Sequence, residues 1–320
     1  MAMSGILIDI SEDKIKSLGP DILNILLFDR TTRRNIIWAT DNYERYGESY
    51  NAKFPITIMQ ITGDNANIIQ PRVIKTKEDQ IHRTKQNAEV FTPSWICNIQ
   101  NNMIDEQWFG KKNVFNLVEH TKWRTITERI IFPEDKLHTW EKYVDEKRLE
   151  ITCGEAPYLV SRYDSVTGKY IEVEDRIGLL DRKLRIVNEN NDDLDNWYKW
   201  AKRAFQSIYG FEYQGDNLLL ARENILYTFV DNFEKKFNKI PTYDMLKEIA
   251  IIISWNIWQM DGITLTVPYQ RVYEQYQQLT IDVCKNELVN KKNNKCYCKI
   301  KDWRSNKTEY YYSLMKTESE

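Results

Sequence analysis

At 320 residues, with 42% hydrophobic and 29% charged residues, the chain has the size and composition of one large folded domain or two ordinary ones, which excludes a disordered chain. A net charge of −2 excludes a polycation that wraps nucleic acid, and five cysteines make no disulfide framework, so reduced thiols and a cytoplasmic location are expected. No apolar run reaches the roughly 18–20 residues of a membrane helix, and MAMSGILIDISEDK carries acids where a secretory signal is basic, so no membrane association is expected.

Residues 1–86 read as a small, β-rich N-terminal region. ILNILLFDRTTRRNIIWATDNY places two apolar runs around Asp29-Arg30-Thr31-Thr32, and FPITIMQITGDNANIIQPRVIK does the same around Gly63-Asp64-Asn65. Both patterns predict hairpins. Residues 75–91 are polar and read as a linker or an exposed helix. TPSWICNIQNNMIDEQWF predicts a helix capped by Thr92 with Pro93 in its first turn, and Trp95, Ile96, Ile99 and Met103 on one face.

HTWEKYVDEK predicts a short helix leading into a strand at Leu149–Ile151. The turn Thr152-Cys153-Gly154-Glu155-Ala156 follows, and Pro157-Tyr158-Leu159-Val160 reads as a helix start whose free N–H groups face the turn. DRIGLLDRKLRIVNENND reads as a strand and turn. DNWYKWAKRAFQSIYG is an amphipathic helix with Gly210 as its stop, and FEY is a brief strand. NLLLARENILYTFVDNFEKKF is a long helix, and PTYDMLKEIAIIIS is another that starts at Pro241, with WNIWQMDG after it. This alternation predicts a parallel α/β sheet from about residue 148 onward. QRVYEQYQQLTIDVCKNELV, 270–289, reads as a further helix.

From Lys291 to Lys307 the cations Lys291, Lys292, Lys295, Lys299, Lys301, Arg304 and Lys307 outweigh Asp302. Such a run is more often a solvated tail than a phosphate-facing strip. Cys296 and Cys298 lack a second ligand pair at zinc spacing, with only Cys284 and distant histidines to complete a site. His82, His120 and His138 suggest no triad, and no Pro-Asp with a following Asp/Glu-x-Lys argues for a nuclease. No metal site is expected.

Four stretches in order carry a resemblance: VFTPSWICN (90–98), LEITCGEAPYL (149–159), YGFEYQGDNLLLAREN (209–224) and NIWQMDGITL (256–265). Together they resemble the cofactor half of the adenosylmethionine-dependent N6-adenine DNA methyltransferases, in the motif order that places that half first. That family has a Phe/Tyr-Thr-Pro motif, then Leu-Glu/Asp-Pro-Ala-Cys-Gly-x-Gly-x-Phe-Leu, then acidic residues at the ends of later strands. The resemblance spans about 87–265 and implies a partial Rossmann-like methyltransferase sheet within an adenosylmethionine-binding domain, 87–290, followed by a basic aromatic segment, 291–320. It implies cofactor contacts from Phe91, Thr92, Pro93, Glu150, Thr152, Cys153, Gly154, Ala156, Glu212, Tyr213, Asp261 and Gly262. Glu212 takes the place of the ribose-binding acid, because a carboxylate at a strand end accepts two hydrogen bonds from a diol. Asp261 takes the place of the acid that accepts from the cofactor's adenine amine. Asp181 and Asp216 are the respective rivals, and each acid taken singly is equally a cap or turn residue.

The chain departs from the family's pattern at Ile151-Thr152, where Pro-Ala is usual, at Ala156, where a second glycine is usual, and in a long segment before Glu212. The family's Asn/Asp/Ser-Pro-Pro-aromatic tetrapeptide, which orients the target amine and stacks on the flipped base, has no counterpart. TVPYQ, 266–270, is the nearest stretch and reads as a turn. No catalytic residue is therefore assigned. The expectation is a split enzyme whose partner subunit brings the catalytic motif and DNA recognition, with Tyr297, Trp303, Tyr310, Tyr311 and Tyr312 in an interface segment. The other reading is a catalytically inactive scaffold or sensor.

Overall fold

The computed structural model describes residue 8 and residues 10–87, 89–269 and 295–315. The helix expected over 270–289, Cys284, Lys291 and Lys292 lie outside the described residues.

Helices α1 (Glu12–Ser17) and α2 (Ile22–Leu27) lead into a hairpin of two-residue strands, β1 (Phe28–Asp29) and β2 (Arg34–Asn35). The Asp29 carboxylate accepts the N–H groups of Thr31 and Thr32, which fixes the expected turn. The apolar run before it is helical, because Ile22, Leu23, Leu26 and Leu27 share one buried face. The second expected hairpin does not form. Helix α3 (Ile58–Ile61) stands there, begun by Gln60 Oε1 accepting the Thr57 N–H at 2.8 Å, and Gly63–Asn65 is a single 3-10 turn. The N-terminal region is thus mostly helix and loop rather than β-rich.

Helix α4 (Lys77–Asn87) fills the polar stretch, and α5 (Ser94–Phe109) follows it. Its cap and face differ from the expectation. The Ser94 N–H donates to Asp164 at 3.0 Å, while the Thr92 carbonyl accepts from Ser165. The buried residues of α5 are Ser94, Cys97, Asn98, Asn101, Asp105 and Phe109, whereas Met103 is 59% exposed. A mainly polar stripe faces inward because each member has a partner. Asn98 pairs with Asn116, Asn101 donates to the carbonyls of Tyr158 and Ile177, and Asp105 meets Arg182 and the Tyr143 hydroxyl.

The antiparallel pair β3 (Asn116–Glu119) and β4 (Lys122–Thr125) precedes α6 (Trp140–Asp145) and β5 (Arg148–Ile151). The segment expected as strand and turn is helix α7 (Leu179–Asn190), with Leu180, Leu184 and Val187 fully buried at helical spacing. Then come α8 (Leu194–Gln206), β6 (Ile208–Glu212), α9 (Gly215–Phe237), α10 (Tyr243–Asn256) and β7 (Ile257–Gln259). Gly210 does not stop α8; it lies inside β6, where a Cβ would stand 3.1 Å from that of Cys153. The helix α10 is capped by Thr242 rather than opened by Pro241. The antiparallel strands β8 (Lys299–Asp302) and β9 (Lys307–Tyr310) and the short α11 (Tyr311–Leu314) complete the described chain.

The protein is mixed α/β, and its one parallel sheet among the described residues has three strands in the order β5-β6-β7. One face of this sheet, through Ile208 and Ile257, joins the main core. The other face, through Tyr209, Phe211 and Trp258, is covered by Cys298, Ile300 and Tyr311 of the C-terminal hairpin region. That cover stops short of β5, where Leu149 is 41% and Ile151 67% exposed. The main core runs from Ile15 to Ile257, with α9 at its centre: every residue from Gly215 to Val230 is buried. No helix among the described residues is long and apolar enough to cross a membrane.

Candidate cofactor site

Strand β5 ends in the turn Thr152–Ala156, beside the end of β6. Cys153 extends the pairing by donating to the Phe211 carbonyl at 2.8 Å. Gly154 then takes φ +50, a left-handed conformation that suits glycine. Its N–H donates to Glu212 Oε2 at 2.9 Å, and the Gln214 N–H donates to Oε1 at 3.2 Å. A Cβ at Gly154 would lie 3.7 Å from the Phe91 ring, so Phe91 stands over the turn. Phe91, Gly154 and Glu212, drawn from three separate stretches, therefore meet at one place.

Glu212 is buried, and burial raises its carboxyl to about 7 against the hydrogen bonds from Gln214 and Gly154. Glu150 is pushed well above the usual carboxylate range by burial, with the nearby charge of Glu212 adding to the shift. The two acids thus share one electrostatic neighbourhood. Glu150 nevertheless has a local task. Its carboxylate accepts the N–H groups of Tyr158 and Leu159, at 3.3 and 3.2 Å. Those groups belong to a turn, so the helix start expected at Pro157–Val160 does not form.

The remaining predicted residues divide between contact and support. Thr152 is exposed at the start of the turn, while Cys153 is buried with its thiol pushed up by burial. Ala156 is fully buried at φ +65, a conformation that crowds its methyl group. Thr92 and Pro93 are half-buried after Phe91. Asp261 lies one residue beyond Met260, whose N–H donates to the Glu212 carbonyl at 3.0 Å, so it too sits at the carboxyl end of the sheet. Its Oδ1 accepts the N–H groups of Ile263 and Thr264, and its charge bears on the Tyr213 phenol. Tyr213 packs against Tyr269, and Gly262 lies beside the Phe211 ring. Among the rivals, Asp181 clamps Ser161 and Gly178.

Asp216 belongs to a feature that sequence reasoning missed. Residues 72–87 and 89–91 contribute a strap across this end of the sheet, pinned by buried charges. Arg83 reaches Glu89 at 2.7 Å and Asp216 at 2.6 Å, and Tyr43 donates to Asp216 at 2.7 Å. Lys75 lies 3.8 Å from Asp216, Arg72 lies 3.5 Å from Glu89, and the Arg72 guanidinium stands 5.3 Å over the Phe91 ring. Glu155 joins the strap by accepting the Arg72 N–H at 2.7 Å. Burial opposes ionisation of Asp216, but Arg83 and Lys75 outweigh it and hold the carboxyl below its ordinary value. Burial lowers Lys75 in spite of Asp216.

In chemical terms the site offers a buried acceptor carboxylate at a strand end, a left-handed main-chain turn and an aromatic ring above it. That donor set suits a ligand with a diol and a flat apolar ring. No family model, no curated protein and no solved structure matches the chain.

Proposed function

We propose that the chain is the adenosylmethionine-binding half of a split DNA adenine-N6 methyltransferase of the restriction–modification type. A partner chain then supplies the Asn-Pro-Pro-aromatic motif and the base-reading region. The observation that carries this reading is the meeting of Phe91, Gly154 and Glu212 at the carboxyl ends of adjacent parallel strands. In open α/β sheets that edge is where ligands bind. The parallel order β5-β6-β7 supports a Rossmann-like half-sheet, and β5 pairs only with β6 among the described residues. Its other edge, beside exposed Leu149 and Ile151, is where a partner strand would continue the sheet.

In this reading Glu212 holds the ribose hydroxyls with lone pairs left over from its two main-chain bonds. Phe91 covers the nucleoside, and the Gly154 turn lets the backbone approach it. Asp261 and Tyr213 border the adenine end. The chemistry the cofactor supplies is a methyl group activated by a sulfonium.

The test is calorimetric titration of the purified chain with adenosylmethionine. Binding is expected, with Glu212→Ala weakening it about tenfold or more, the worth of a charge-assisted bond. DNA methylation is expected only after the partner is added. Specific observations favour the second reading, a scaffold or sensor without cofactor: the buried methyl of Ala156 at positive φ and the main-chain bonds already made by Glu212. Absence of any adenosylmethionine binding by the wild-type chain would select that reading.

A further inference from the structure

The C-terminal cations of the described chain do not sit on a loose tail. Cys298, Ile300 and Tyr311 are buried against Phe211 and Trp258, and Tyr297 bridges to Thr266, so the hairpin β8–β9 is seated on the sheet. Its register pairs Lys299 with Tyr310, Ile300 with Glu309, Lys301 with Thr308 and Asp302 with Lys307. Paired residues share a face, and successive residues alternate between faces. Ile300 marks the inner face, so Lys299, Lys301, Thr308 and Tyr310 stand on the outer one. Tyr297, two residues before Lys299, has the same parity.

Three rings gather on that outer face. The Tyr312 ring centre lies 4.5 Å from that of Tyr297 and 5.6 Å from that of Tyr310, and the second pair is stacked. All three tyrosines are half-buried, so each keeps part of its surface in water. Lys299 stands 5.6 Å over the Tyr310 ring, and Lys301 stands 4.5 Å over that of Trp303. Neither lysine has a carboxylate partner among the described residues, whereas Arg304 pairs with Asp145 and Lys147 with Asp302. The hairpin's own acids, Asp302 and Glu309, have the inner parity. The outer face therefore carries cations and aromatic rings without an acid among its described residues.

We propose that this outer face binds single-stranded nucleic acid, with bases stacking on the Tyr297, Tyr310 and Tyr312 rings and phosphates meeting Lys299 and Lys301. An aromatic face accepts any base, and a lysine beside it answers the backbone charge; proteins that hold single strands without regard to sequence combine these two features. A duplex suits the face less well, because its bases are already stacked on one another. The lysines alone would serve any polyanion, but a contiguous row of three rings adds something only for a ligand with flat groups in series. The face is separate from the Gly154 turn, and its role does not rest on the cofactor reading.

The experiment follows fluorescence anisotropy of labelled oligothymidine, oligouridine and a DNA duplex of equal length with the purified full chain, over a range of salt and without adenosylmethionine. Single strands should bind more tightly than the duplex; binding of either oligonucleotide meets the proposal, and the tighter one names the sugar. Tyr312→Ala should weaken strand binding about fivefold to a hundredfold, while Tyr312→Phe, which keeps the ring, should retain it. Lys299→Ala should lower the slope of log affinity against log salt by roughly 0.7. Equal binding of strand and duplex, full strand binding by Tyr312→Ala, or no binding of any probe overturns the proposal; the last result leaves the face to a protein partner. If Tyr312→Ala fails to fold, the strand-over-duplex preference and the salt slopes of Lys299→Ala and Lys301→Ala still decide.

Discussion

Asp216 and Glu223 lie two turns apart on the same helix, both 0% exposed, yet they meet opposite fates. Asp216 is surrounded by Arg83, Lys75 and Tyr43 and is held ionised. Neither carboxyl oxygen of Glu223 has a hydrogen-bond partner, and burial pushes that carboxyl well above the usual carboxylate range. Depth alone does not decide charge inside this protein; the partners do. Glu212 stands between the two extremes. It is buried like the others but receives main-chain N–H groups, and it titrates at about 7.

The sharpest way to break this contrast is to remove the cation. Arg83→Met leaves Glu89 and Asp216 buried with no close hydrogen-bonded cation, and unfolding in urea should show a loss of about 3–5 kcal/mol. A loss under about 1 kcal/mol would mean that the strap's ion pairs contribute little. Glu223→Gln, on the other helical turn, moves stability the opposite way at alkaline pH, because the carboxyl it removes titrates higher in the folded chain than in the unfolded one.

Asp216→Asn probes the same cluster from the acid side. The folded value of Asp216 lies below its unfolded one, so its stabilisation is present above the ordinary aspartate range and disappears as pH falls through the depressed value. The variant should lose about 2–3 kcal/mol near neutral pH and show a flatter acid limb in pH-dependent unfolding. An unchanged acid limb would remove Asp216 from the account. The smallest effect belongs to a surface pair. Lys202 meets Glu248 at 2.9 Å, but the glutamate side chain is 54% exposed. Lys202→Ala should therefore change unfolding free energy by less than about 0.5 kcal/mol, a value that calibrates the buried pairs.

Much of the parallel core was legible. The strand at Leu149–Ile151 and the long helix over 217–237 follow from apolar runs, and the turn at Gly154 from its small residues, whereas only the family resemblance singles out Glu212. What escaped notice depends on partners distant in sequence. The inner face of α5 is polar, so periodicity pointed to Trp95 and Met103; only Arg182, Asn116 and Tyr143 make Asp105 and Asn98 interior residues. The charges in LLDRKLRIV disguised α7, where Arg182 and Lys183 are almost fully buried. The stretch 75–91 reads as a linker or an exposed helix, and a helix does form at Lys77–Asn87, but its role in the strap went unseen for the same reason. No local pattern announces that Arg83 will find Asp216, since an acid in the first turn of a helix is already accounted for by the helix dipole.

One small residue constrains what this protein can become. Gly215 opens α9 where the Ile37 main chain crosses it, and the Gly215 N–H donates to the Trp38 carbonyl at 2.9 Å. Any side chain there would collide with the Ile37 carbonyl oxygen. Mutational drift is barred at this point whether or not the chain ever binds a nucleoside. A distant descendant that keeps the crossing must keep the glycine, which makes that position a marker for tracing its lineage.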